Sequence, residues 1–171
     1  MPRARINQEP QANDPPTFKT THHTSSQFVE SAGAILFDFP SLGKKRVCLV
    51  NHLVKDEWLL AKGRRNIGES RAEAAFREVR EETGHECRPH AATMSTRAPR
   101  GDEPHDVPDQ VRVYSGCLTE PFMYTRRDLE GKSEKLIWWY IAEAVVRDTW
   151  RDLQLEARRA SGPSFLSVRR L

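Results

Sequence analysis

The 171 residues suffice for one domain with a sizeable core, and 27 Lys and Arg against 24 Asp and Glu (net +3) are too mild a balance to argue for a nucleic-acid partner. Cys48, Cys87 and Cys117 are odd in number and far apart, which argues against a disulfide framework or a zinc site and fits a reducing compartment. No apolar run reaches membrane-spanning length and residues 1–24 lack a secretory signal's hydrophobic stretch, so the expectation is no membrane partner and a cytoplasmic location.

Residues 1–27 are polar, carry Pro2, Pro10, Pro15 and Pro16, and read as a disordered tail ahead of a single domain over 28–171. His22 and His23 fall in that tail and are read as tail residues, not as metal ligands. Ala32 to Phe37 and Val47 to Asn51 are apolar runs separated by turn-forming residues, which predicts a hairpin. Trp58 to Leu60 is a third short strand. A helix opens at Ser70, where Glu73 three residues on completes a capping box. Ala72, Ala75, Phe76 and Val79 recur at helical spacing as its buried face, and Gly84 stands where a left-handed C-cap belongs.

Arg97 to Pro108 is rich in proline, glycine and charge and reads as a surface loop. Val111 to Leu118 and Phe122 to Thr125 are further strands. Lys135 to Ala144 is apolar on both alternating faces and reads as a central, doubly covered strand, with Trp138 and Trp139 in the core. Arg147 to Ala160 is expected to form a last helix.

The chemistry concentrates in Gly63 to His85, GRRNIGESRAEAAFREVREETGH. Glu78, Glu81 and Glu82 fall at helical spacings of three and four, so they share one face. Like charges that close repel unless a cation neutralises them. A divalent metal is one neutraliser and Arg77 beside them is a second. Magnesium prefers carboxylate oxygens and keeps several waters, so a glutamate cluster suits it.

Gly63, Glu69, Arg77, Glu78, Val79, Glu81, Glu82 and Gly84 stand at the spacing of the signature box of the Nudix hydrolases, which the stretch resembles. One position departs: the last, usually aliphatic, is His85. The resemblance implies a mixed α/β fold, an α/β/α sandwich around a mixed sheet, and cleavage of pyrophosphate bonds linked to a further moiety. It also implies Mg2+ as cofactor, with Mn2+ as a substitute, held by Glu78, Glu81, Glu82 and the Gly63 carbonyl. Arg77 then fixes a glutamate rotamer, and Glu69, Val79 and Gly84 are structural. Glu78 is the choice for general base. Glu120, Glu134 and Glu156 remain open as an additional carboxylate from outside the helix.

The box names the reaction and not the substrate. Lys62, Arg64 and Arg65 surround the glycine; Arg126, Arg127, Lys132 and Lys135 precede the long strand; Lys44, Lys45 and Arg46 form a third group. Together they point to a small molecule crowded with phosphates. Diphosphoinositol polyphosphates need many cations and no aromatic stacking. Diadenosine polyphosphates, or another nucleoside diphosphate linked to a further group, need an aromatic clamp, for which Phe122 and Tyr124 are a thin provision. The expected substrate is therefore a diphosphoinositol polyphosphate. A non-catalytic Nudix-like binding module is the rival from another class. Messenger RNA decapping is a second rival, kept by Arg158, Arg159, Arg169 and Arg170.

Overall fold

The computed structural model describes residues 19–39, 45–52, 55–131, 133–145 and 165–170, with backbone alone for Cys117 and for 165–170. The strands are β1 (Phe28–Asp38), β2 (Arg46–His52), β3 (Glu57–Leu59), β4 (Lys62–Arg64), β5 (Cys87–Pro89), β6 (Ala92–Thr96), β7 (Arg112–Leu118), β8 (Met123–Leu129), β9 (Ser133–Ala144) and β10 (Phe165–Arg170). The helix α1 (Arg71–Thr83) lies between β4 and β5. The expected hairpin is present, with Phe37 opposite Val47 and Asp38 opposite Arg46.

The fold is mixed α/β, and its sheet is mixed. Along its spine the order is β10-β2-β1-β9-β5; β3 joins β2, β4 joins β1 and β8 joins β9. The pairing of β1 with β9 is parallel from Phe28 opposite Glu134 to Phe37 opposite Glu143, and the other pairings are antiparallel. β6 and β7 leave this sheet and pair with each other. Strands β4, β5, β6 and β10 were not anticipated from the sequence. Each is short, and β4 is charged, so pairing rather than pattern makes them strands.

The helix covers one face of the sheet. Ala74, Ala75 and Val79 meet Ala32, Ala34 and Leu36 of β1 and Tyr140, Ala142 and Ala144 of β9 in one buried cluster. Alanines dominate both surfaces, so the helix backbone comes close to the strands. Ala74 and Thr83 belong to the buried face beside the anticipated Ala75 and Val79, whereas Ala72 and Phe76 are only partly buried. The second helical layer, expected at 147–160, lies outside the described residues, as do Lys132 and Glu156.

One expectation about a side chain changes. Trp139 is buried, but Trp138 is only partly so and its indole N–H reaches Glu30, so it is not a plain core residue. His85 is buried in the aliphatic place of the box, where desolvation lowers its pKa against the opposing charge of Asp38. The end of the expected tail is also held to the domain: Gln27 accepts the Glu134 amide at 2.8 Å, and His23 Nε2 lies 3.2 Å from Glu134.

Gly33 sits where β4 presses on β1. A Cβ there would lie 2.3 Å from the Ala61 carbonyl oxygen, and a backbone atom cannot swing aside. Gly33→Ala should therefore destabilise the protein by about 1–3 kcal/mol. Thermal unfolding checks this, and an unchanged melting temperature would mean that β4 can shift freely.

Candidate active site

The site is assembled by one continuous segment, β4, a loop and α1, clasped against β1. β4 pairs with β1 so that Lys62 faces Gly33, Gly63 faces Ala32 and Arg64 faces Ser31. The loop turns through Gly68, whose φ of 80° is in the left-handed region that favours glycine. Glu69 braces it, accepting the Asn66 amide at 2.9 Å. Ser70 caps the helix with Glu73 in the reciprocal box, and Gly84 ends it with φ 70° and its amide on the Arg80 carbonyl.

Arg77 is the organising cation. Its Nε and Nη2 grip both oxygens of Glu69 at 2.7 and 3.0 Å. Nη1 donates to Glu78 Oε1 at 2.7 Å and Glu81 Oε2 at 2.9 Å, and Nη2 also reaches the Arg64 carbonyl at 2.9 Å. The hydrogen bonds it donates to Glu69 and then to Glu78 raise its pKa further, so it stays charged at any working pH.

Glu78 and Glu82 face β4. Glu82 Oε2 accepts the Lys62 amide at 3.0 Å. The Glu78 carboxyl fills the space a side chain at Gly63 would occupy: a Cβ there would lie 2.0–2.1 Å from its carboxyl carbon and both oxygens. Burial pushes the Glu82 carboxyl above its ordinary pKa, and the charges of Glu78 and Glu81 push it further, against the Lys62 amide and ammonium. At Glu82, burial and the like charges of its neighbours thus outweigh what Lys62 offers. Glu81 is the exposed member, with 58% of its side chain open to solvent.

Among the described residues, no group of three or more His, Cys, Asp or Glu side chains converges as a metal site. The donor chemistry nevertheless fits a hard divalent cation. The donors are all carboxylate oxygens, beside a glycine backbone that only glycine allows them to approach.

The predicted basic residues divide. Arg127 and Lys135 are direct cross-strand partners, and Lys62 and Arg64 pair with Gly33 and Ser31, which in turn face Trp139 and Ile137. Alternation along the strands therefore puts Lys62, Arg64, Arg127 and Lys135 on one face of the sheet, opposite α1. Their mutual repulsion is visible at Lys135: burial lowers its pKa first, then Lys62, Arg127 and Arg64, while Glu78 opposes them.

Arg65 and Arg126 turn elsewhere. Arg65 Nε binds Glu30 at 3.0 Å and its Nη1 the Glu69 carbonyl at 2.7 Å. Arg126 pairs with Asp128 and Glu134. Glu134 is thereby engaged with Arg126 and His23, and Glu120 is exposed. Glu30 is the residue that sequence reasoning missed; with partners 35, 41 and 108 positions away, it gives no local signal.

The sequence model of the NUDIX domain matches residues 28–158. The chain belongs to the NUDIX domain family. As a Nudix hydrolase it is a pyrophosphohydrolase. Solved structures similar to this Nudix chain include the Ap4A hydrolase of C. elegans, 16% identical, covering 67% of each chain with a TM-score of 0.41. A NUDIX-family hydrolase from Clostridium perfringens is 15% identical over 86% of this chain and 83% of that one, with a TM-score of 0.47. A NUDIX hydrolase from Nitrosomonas europaea is 16% identical over 82% and 70%, with a TM-score of 0.46. A search of curated proteins found no match. Among the described residues, no helix of this Nudix domain is long and apolar enough to cross a membrane.

Proposed function

We propose that this Nudix hydrolase cleaves, with magnesium, a pyrophosphate bond in a densely phosphorylated small molecule, and that a diphosphoinositol polyphosphate is the preferred substrate. The observation that carries this reading is the crowding of Lys62, Arg64, Arg127 and Lys135 on one face, within the field of Glu78. Such crowding of like charge is unfavourable by itself and is relieved by a polyanion. Tyr124 is exposed but lies tilted against Trp138, with ring centroids 5.5 Å apart, on the face opposite the cations, so it does not stand beside them to clamp a base.

Glu78, Glu81, Glu82 and the Gly63 carbonyl would hold the magnesium. When bound, the ion neutralises phosphoryl charge and makes a coordinated water more acidic. The protein's own groups do the rest. Arg77 binds Glu78 Oε1 and leaves Oε2 to accept the proton of the attacking water. Lys62, Arg64, Arg127 and Lys135 hold the remaining phosphates and keep the substrate from rotating.

Replacing Arg127 and Lys135 with alanine should raise KM for a diphosphoinositol polyphosphate on the order of tenfold, the loss expected for one charge-assisted hydrogen bond. KM for ADP-ribose, which has fewer phosphates, should change far less. Equal shifts for both substrates in steady-state kinetics would sink the polyanion reading.

A further inference from the structure

Glu30 lies on β1 outside the signature box, with 11% of its side chain exposed. Its Oε2 accepts Arg65 Nε at 3.0 Å. Its Oε1 accepts Arg71 Nε at 2.9 Å, Arg71 Nη2 at 2.6 Å and the Trp138 indole N–H at 3.1 Å. The Glu30 carbonyl also accepts the Arg65 amide at 3.1 Å. Burial pushes the Glu30 carboxyl up, but the hydrogen bonds from Arg71 and Trp138 and the charges of Arg71 and Arg65 outweigh it and hold the pKa below the ordinary range.

The partners' places in the chain give this cluster its meaning. Arg65 follows β4 directly, and Arg71 is the first residue of α1. One carboxylate therefore ties both ends of the intervening loop to the sheet. Arg71 is fixed a second time, because its guanidinium lies over the Trp138 ring at 4.0 Å from the centroid. The loop is closed on its other side by Glu69 and Arg77. Glu30 itself makes no hydrogen bond or ion pair with Glu78, Glu81 or Glu82; its reach to them is through the backbone it holds.

We propose that Glu30 is a positioning residue for the hydrolytic reaction: by clamping Arg65 and Arg71 it fixes the spacing of β4 from α1, so that the Lys62 amide meets Glu82 and Gly63 backs Glu78. The proposal rests on the assignment of Glu78 and Glu82 to the catalytic centre. A purely structural ion pair would lower stability and leave the turnover of folded protein unchanged. A substrate-binding Arg65 would instead move KM.

The test compares Glu30→Gln, Arg65→Ala and their combination with the full-length wild type, reading kcat and KM separately and following amide exchange of residues 62–64 without substrate. Glu30→Gln should lower kcat on the order of 10- to 100-fold with KM within about threefold, the signature of a displaced catalytic geometry. Exchange at 62–64 should quicken in the same variant. Adding Arg65→Ala to Glu30→Gln should cost less than about twofold more, because both changes break one linkage. Wild-type kcat in folded Glu30→Gln, or fully additive losses, overturns the proposal. Should Glu30→Gln not fold, Arg65→Ala combined with Arg71→Ala carries the same test: reduced kcat at near-normal KM supports it, and wild-type kcat overturns it. Glu82→Gln is run alongside. If that variant keeps its turnover, the catalytic assignment falls whatever Glu30 does.

Discussion

Glu82→Gln is expected to lose turnover on the order of 100-fold or more while the protein stays at least as stable at neutral pH. The activity loss follows from removing one charge of the carboxylate set that faces β4. The stability half follows from the state of that carboxyl. It is pushed above its ordinary pKa, first by burial and then by Glu78 and Glu81. A carboxyl raised on folding holds its proton more tightly in the native state, so the native state loses stability as pH rises through that raised value. Glutamine removes this penalty and can still accept the Lys62 amide. In a chelator at pH 7 the variant should melt at or above the wild-type temperature. The difference should fade below about pH 4, where the carboxyl is protonated in both states. A variant that melts several degrees lower at pH 7, or retains activity, contradicts this account. A native protein that carries such a penalty is trading stability for function.

Gly63→Ala should be nearly as damaging to activity, for a geometric reason. The added Cβ would fall 2.0–2.1 Å from the carboxyl atoms of Glu78, which have to move away. Because the obstructing group is the end of a flexible side chain, the fold can yield where the catalytic geometry cannot. We expect kcat to fall on the order of 100-fold, the effect of about 1 Å of misplacement, with a modest loss of stability. Gly33→Ala makes the opposite pairing, since the obstruction there is the Ala61 backbone. The two glycines thus separate a packing role from a catalytic one. Wild-type kcat in Gly63→Ala would show that Glu78 works from another position.

What the sequence disclosed divides by range of interaction. The helix, its Ser70–Glu73 capping box and its Gly84 C-cap depend on neighbours within four residues, and all three are present where expected. That Arg77 would pair with a glutamate was implied by the resemblance, but its grip on Glu69, eight residues back, appears only in the fold. β9 was legible because a strand covered on both sides must be apolar on both faces. β4 was not: Lys62, Gly63 and Arg64 have no strand pattern and become a strand only by pairing with β1. The basic residues were seen as a composition, but their sorting required the register between β8 and β9. That register puts Arg127 beside Lys135 and Arg126 on the other face with Glu134. Arg65 has the chemistry of a phosphate ligand and yet serves Glu30, a choice made by a strand 35 residues earlier.

The most direct test of the central claim is phosphate release with magnesium from a diphosphoinositol polyphosphate, a diadenosine polyphosphate, ADP-ribose and capped RNA, with Glu82→Gln beside the wild type. The account predicts fastest release from the inositol compound and its loss in the variant. Equal activity of the two proteins, or no release from any substrate by folded wild type, would contradict it.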